Sequence, residues 1–198
     1  MLDTKFFFKP KQKGVAMKKL LAAIGIAIVV SGCASGAKTE NMSVFADASV
    51  VNAKTPLKAN VAVKDVTGGQ ETNPAWKSNI GSSDFEQALE ASLRYAGLLA
   101  PGKQAGTHFL TVHLEKVDQP FLGISMTVTA TVNYTLTERA TGKNVLVKTI
   151  ALPFTAAFSD AFAGYERLRL ANEGAAKVNI KALIDELVAL KIEGIQVK

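Results

Sequence analysis

The sequence predicts an α+β domain: a mainly antiparallel, mixed sheet of four to five strands with two helices packed on one face, in the order β-α-β-β-β-α. Three observations carry this. First, Met126, Val128, Ala130, Val132, Tyr134 and Leu136 alternate with Ser125, Thr127, Thr129, Thr131, Asn133 and Thr135. That two-residue period belongs to a strand with one buried and one polar face. Second, the turn-like run ERATGKN (138–144) leads into an apolar return, 145–155, which makes a hairpin. Third, two stretches, one after Ser83 and one from about 162 to 190, repeat apolar residues at helical spacing.

Taken in order, the chain begins with residues that do not belong to the domain. MKKLLAAIGIAIVVSGC (17–33) places Lys18 and Lys19 before an apolar run from Leu20 to Val30, then Ser31 and Gly32 before the only cysteine. This is the layout of a secretory signal. The apolar run is too short for a bilayer core of roughly 30 Å. Val30, Ser31, Gly32 and Cys33 resemble the lipobox of bacterial lipoproteins. The resemblance implies cleavage before Cys33 and palmitate-type acyl chains on its thiol. Residues 1–32 therefore read as signal peptide. Met17 is the better start, residues 1–16 being either untranslated or a long basic head.

Processing changes the charge. The full chain has 23 basic and 17 acidic residues, net +6. Residues 1–32 hold six of those lysines and only Asp3 as an acid, so the remainder is close to +1. The basic excess belongs to the export signal, and no nucleic-acid partner is expected. With Cys33 as the sole cysteine, no internal disulfide forms, so about 165 residues must be held by an ordinary core.

Residues 33–42 read as the lipidated cysteine and a flexible tether, and 43–198 as a single domain. Ser35 and Lys38 match S-x-x-K, but a glycine-containing tether cannot bury the lysine that such catalysis needs. Residues 43–51 are a strand candidate, with Val44, Ala46, Ala48 and Val50 on one side; 60–66 is another. A long loop, 67–81, carries the only tryptophan, Trp76, which either folds back on the core edge or serves a ligand.

Ser83, Asp84, Phe85 and Glu86 predict a capping box. Phe85, Ala88, Leu89, Ser92, Leu93 and Ala96 then form a stripe that Gly97 stops. Gly97 to Lys103 has a phosphate-loop look. Gln104 replaces the magnesium-binding hydroxyl, and a helix rather than a strand precedes the loop. The run 108–118 reads as a strand. Its two histidines, His108 and His113, fall on opposite faces and cannot share a metal. Thr127, Thr129 and Thr131 face away from the core, as plain sheet surface or as the wall of a groove. The last helix starts anywhere near 160–168, with a bend at Gly174 as an alternative. Residues 191–198 are a frayed end or a short edge strand.

No G-x-S-x-G, H-E-x-x-H or dinucleotide glycine pattern occurs. No cofactor, metal or catalytic residue is expected, and the chain is read as a non-enzyme. SDFEQALE (83–90) through Gly97-Leu98-Leu99, and RLANEGAA (169–176) through Asn179-Ile180, Leu183-Ile184 and Leu187, resemble the pattern of small bacterial envelope lipoproteins over about residues 60–190. That resemblance implies an accessory or assembly factor that binds an envelope protein. Ala34-Ser35 lacks the aspartate that resembles an inner-membrane retention signal, so the expected site is the periplasmic side of the outer membrane. The alternative is a lipid- or glycan-fragment-binding module using the threonine face and the Trp76 loop.

Overall fold

The computed structural model describes residues 35–51, 53–73 and 77–191. Val30, Ser31, Gly32, Cys33, Trp76 and the tail 192–198 lie outside the described residues. The elements are α1 (Thr39–Met42), α2 (Ala48–Val51), β1 (Val61–Thr67), α3 (Ser82–Tyr95), β2 (His108–Asp118), β3 (Met126–Glu138), β4 (Asn144–Ala156) and α4 (Gly164–Ala189). The four strands form one mixed sheet, as the sequence predicts, and lie side by side in the order β1-β2-β3-β4. β1 runs parallel to β2. Parallel neighbours need a crossover, and α3 supplies it. β2–β3 and β3–β4 are antiparallel.

Alternation decides which face of the sheet is covered. Val128, Ala130, Val132, Tyr134 and Leu136 are fully buried, and Leu110 and Val112 of β2 lie on the same side. α3 packs Phe85, Leu89 and Leu93 against this face at β1, and α4 covers β3 and β4. Burying each such side chain contributes about 1.5–3 kcal/mol. Among the described residues, no helix or strand packs on the other face. A bulge between Leu114 and Lys116 turns both Glu115 and Lys116 outward there and lets Val117 rejoin the core side.

α3 ends as its glycine requires. Gly97 has φ +70, its N–H donates to Arg94 O, and Leu98 N–H donates to Leu93 O. This pair of bonds satisfies the last carbonyls while Leu98 buries itself. The start differs from expectation. The helix opens at Ser82 after Gly81, with no side-chain cap. Ser82 Oγ instead accepts Gly69 N–H at 2.9 Å, and Glu86 is taken by Lys103. The expected cap, Ser83, therefore lies inside the helix, where its Oγ accepts from Gln87 Nε2 at 3.2 Å, and with Glu86 held by Lys103 no capping box forms; Asp84 in the first turn still complements the helix dipole.

Two N-terminal expectations are corrected. Residues 43–51 are not a strand: 43–47 is irregular and Ala48–Val51 is one helical turn. The sheet edge at β1 is partly occupied by Leu99, which bridges to Val61, leaving no ladder for this segment to join. Residues 37–42, read as tether, are docked. Met42 is fully buried, and Ala37 N–H donates to Asn79 O at 3.2 Å.

α4 is buried on several sides because β3 and β4 lie under it and α1 lies across it. Its Asn179 reaches into the sheet, donating to Ala130 O and Ile150 O at 2.9 Å each and accepting from the Tyr134 hydroxyl. Gly174 is required by contact: a Cβ there would sit 2.1 Å from the ring of Phe154.

Candidate functional site

The threonines singled out in the sequence lie on the open face. Thr127 and Thr155 share a hydrogen bond of 2.8 Å; Thr129 stands opposite Pro153, and Thr131 opposite Ala151. Thr149 donates to Asn133 Oδ1, and Asn133 Nδ2 donates to Glu115. Toward β1, His113 pairs with Thr67 at 2.9 Å. Much of the polar capacity of this face is thus used within it. No described layer rises above it to make a wall.

The histidines part as predicted. His113 is exposed, while His108 is fully buried on the core side. His108 Nδ1 bonds Thr107 Oγ1 at 2.8 Å, and its Nε2 has no partner among the described residues. Burial lowers its pKa, partly opposed by Glu138. No group of three His, Cys, Asp or Glu among the described residues could hold a metal. Lys38 is exposed, so it cannot serve Ser35 as a buried base. Residues 99–103 of the turn line a hollow of about 390 Å³ with Glu90 and Arg94, and Lys103 is paired with Glu86.

Sequence reasoning missed three features. The first is a buried clamp on α4. Glu173 pairs with Arg169, accepts Lys38 N–H at 2.9 Å and accepts Asn41 Nδ2 at 2.8 Å. Arg169 also holds Glu166, whose carboxyl is kept below its ordinary pKa mainly by that hydrogen bond. Arg169 and Glu173 are buried, with the N-terminal segment hydrogen-bonded to Glu173.

The second is a groove of about 610 Å³ over α4. Its floor is Leu170, Gly174 and Val178. Phe45 stands on one side, Phe154 and Ala156 of β4 on the other, with Lys177, Asp160 and Glu40 at its margins. Phe45 is held by a ring contact with Tyr95 at 4.6 Å.

The third is a pair of apolar loops at one end of the sheet, 119–125 and 157–163. They expose Phe121, Leu122, Ile124, Phe158 and Phe162. Arg167 ties them together. Its guanidinium donates to Ala161 O and Phe162 O at 2.7 Å, reaches Gly123 O at 3.4 Å and stacks on Phe158.

No helix among the described residues is long and apolar enough to cross a membrane. The prokaryotic membrane lipoprotein lipid attachment site family matches residues 17–34. No curated protein sequence matches the chain. Among solved structures, a Xanthomonas campestris protein of the DUF330 family is similar at 12% identity and TM-score 0.49, covering 65% of this chain and 83% of its own. A Caulobacter crescentus protein named as a lipoprotein shows 13% identity and TM-score 0.49, covering 71% and 93%. PelC of Paraburkholderia phytofirmans, described as a dodecamer, shows 20% identity and TM-score 0.45, covering 69% and 92%. The chain thus carries a lipoprotein lipid-attachment site that ends in Cys33-Ala34 and anchors it to a membrane.

Proposed function

We propose that the protein is a non-enzymatic accessory factor of the cell envelope, held on the periplasmic side of the outer membrane, where it engages a protein partner. The observation that carries this reading is the groove between Phe45 and Phe154, which runs beside the free edge of β4. An apolar trough beside a strand edge that has no partner among the described residues suits an extended apolar segment of another envelope protein, taken by side-chain burial and edge hydrogen bonds. Lys148 and Pro153 on β4 discourage indiscriminate edge pairing, so such a partner would gain selectivity from the trough. The buried ionisable groups support binding over catalysis. Arg169 and Glu173 clamp the N-terminal segment, and Tyr134 is spent on Asn179.

A photoreactive residue in place of Phe45 or Lys177, both of which line the groove, with Thr131 as comparison, tests the reading in intact cells. Adducts with one envelope protein from the groove positions support it. Adducts from Thr131 alone would transfer the role to the threonine face and favour the glycan- or lipid-fragment alternative. Density fractionation checks the address: the wild type should enter the outer-membrane fraction and Cys33→Ala should leave it.

A further inference from the structure

We propose that loops 119–125 and 157–163 form a rigid membrane-contacting tip, with Phe121, Leu122, Ile124 and Phe162 inserted into the lipid leaflet that receives the Cys33 acyl chains. Exposure is the first argument. Phe121 is 95% and Phe162 is 87% exposed, and Leu122 and Ile124 are scarcely more covered. Single exposed apolar residues need no explanation, but four on two adjoining loops do. Composition is the second. QPFLGIS (119–125) has no charged residue, and AFSDAFA (157–163) has only Asp160, which is turned back onto Ala157 N–H at 2.8 Å.

The path of the chain selects lipid as the occupant. Ser35 follows Cys33 by two residues, a reach of at most about 7 Å. Ala37 is then pinned to Asn79, the neighbouring Ser78 O accepts from Gln119 Nε2 at 3.0 Å, and Phe121 follows two residues later. Asn172 of α4 locks the same point, bonding both Ser78 O and Gln119. The lipidated end of the chain therefore enters the domain at the end that carries the apolar loops. Lys77 lines a hollow of about 270 Å³ together with Phe121, which places a cation where phospholipid headgroups would lie.

Preorganisation is the last argument. The carbonyls of Gly123, Ala161 and Phe162 converge on the buried Arg167. The tip is therefore shaped before it meets a surface, so little ordering cost remains on contact. The inference rests on the lipid-attachment site and not on the accessory role.

Cys33 is the only cysteine, and its thiol is consumed by lipidation. Phe121→Cys, Phe162→Cys and, as reference, Val147→Cys can each be labelled with an environment-sensitive fluorophore in the full lipoprotein. Val147 is exposed and lies about 30 Å along β4 from Ala156. In vesicles of phosphatidylethanolamine and phosphatidylglycerol, labels at 121 and 162 should be quenched several-fold more by nitroxide-bearing acyl chains than by aqueous iodide. The Val147 label should show the reverse. Iodide access at 121 and 162 equal to that at Val147 would overturn the proposal. So would shielding from both quenchers, which would mean a second copy or a partner covers the loops. A tip found in water on a protein that still captures its partner through the groove would sink this inference alone.

Discussion

The Tyr134 hydroxyl of β3 donates to Asn179 Oδ1 of α4 across 2.7 Å, with both side chains fully buried. Asn179 spends its two N–H groups on main-chain carbonyls of β3 and β4, so one side chain ties the helix to two strands. Tyr134→Phe leaves one buried acceptor unpaired and should cost about 1–3 kcal/mol. Asn179→Ala strands the hydroxyl and two carbonyls and should cost more. Urea midpoints at constant slope measure both, and the double variant should fall short of additivity.

Gly174→Ala drives a methyl into the Phe154 ring. Overpacking of this kind costs about 1–3 kcal/mol. Phe154→Ala in the same chain removes the clash, so Gly174→Ala should be nearly neutral, or slightly favourable through helix propensity, in that background. A double-mutant cycle with no coupling between the two sites would refute the contact.

His108 makes stability fall as the solution turns mildly acidic. Burial lowers its pKa from the ordinary 6.5, so the folded chain keeps it neutral. Above 6.5 neither state holds the proton and nothing is lost. Below 6.5 the unfolded chain takes up a proton that the folded chain resists, and stability drops until the folded pKa is passed. His108→Leu should flatten the stability profile just below pH 6.5, as read by thermal melts across a pH series.

Glu166 acts lower on the scale. Arg169 holds its carboxyl beneath the ordinary 4.5, so the contribution is complete above 4.5 and is lost as pH falls through the depressed folded value. Glu166→Gln should lower neutral stability slightly and flatten the acid limb by the same small amount, because the partly exposed carboxylate is screened by solvent.

Glu173→Ala separates the buried clamp from the partly exposed Glu166. A buried Arg169 loses one of its two partners, and Lys38 N–H and Asn41 lose their acceptor. Breaking a buried ion pair costs about 3–5 kcal/mol, and Arg169 retains Glu166, so the lower end is expected. Limited trypsin digestion should then cut after Lys38 well before the rest of the domain opens.

Strong periodicity made the sheet legible. The alternation from Met126 to Leu136 and the spacing of Phe85, Leu89 and Leu93 place β3 and α3 before any coordinates, because burial on one face forces the pattern. The segment 43–51 misled, since Val44, Ala46, Ala48 and Val50 alternate by chance within a stretch anchored by helical turns on either side. The capping box failed because the helix begins one residue early, which puts Ser83 inside it, and because Glu86 is claimed by Lys103, a residue distant in sequence. The groove, the clamp and the tip were hidden for the same reason. Each joins residues more than a hundred positions apart or loops with no period at all. Only a hydrophobic loop without charge, QPFLGIS, offered a signal that could have been read.

The Glu173 clamp also sets an order of events. Lys38 and its acceptor are 135 residues apart, so the first-made part of the domain cannot settle until nearly all of the last helix exists. Contacts of such long range form late. The N-terminal segment around Lys38 is therefore seated only once α4 is in place, so its docking reports on the completion of the whole domain.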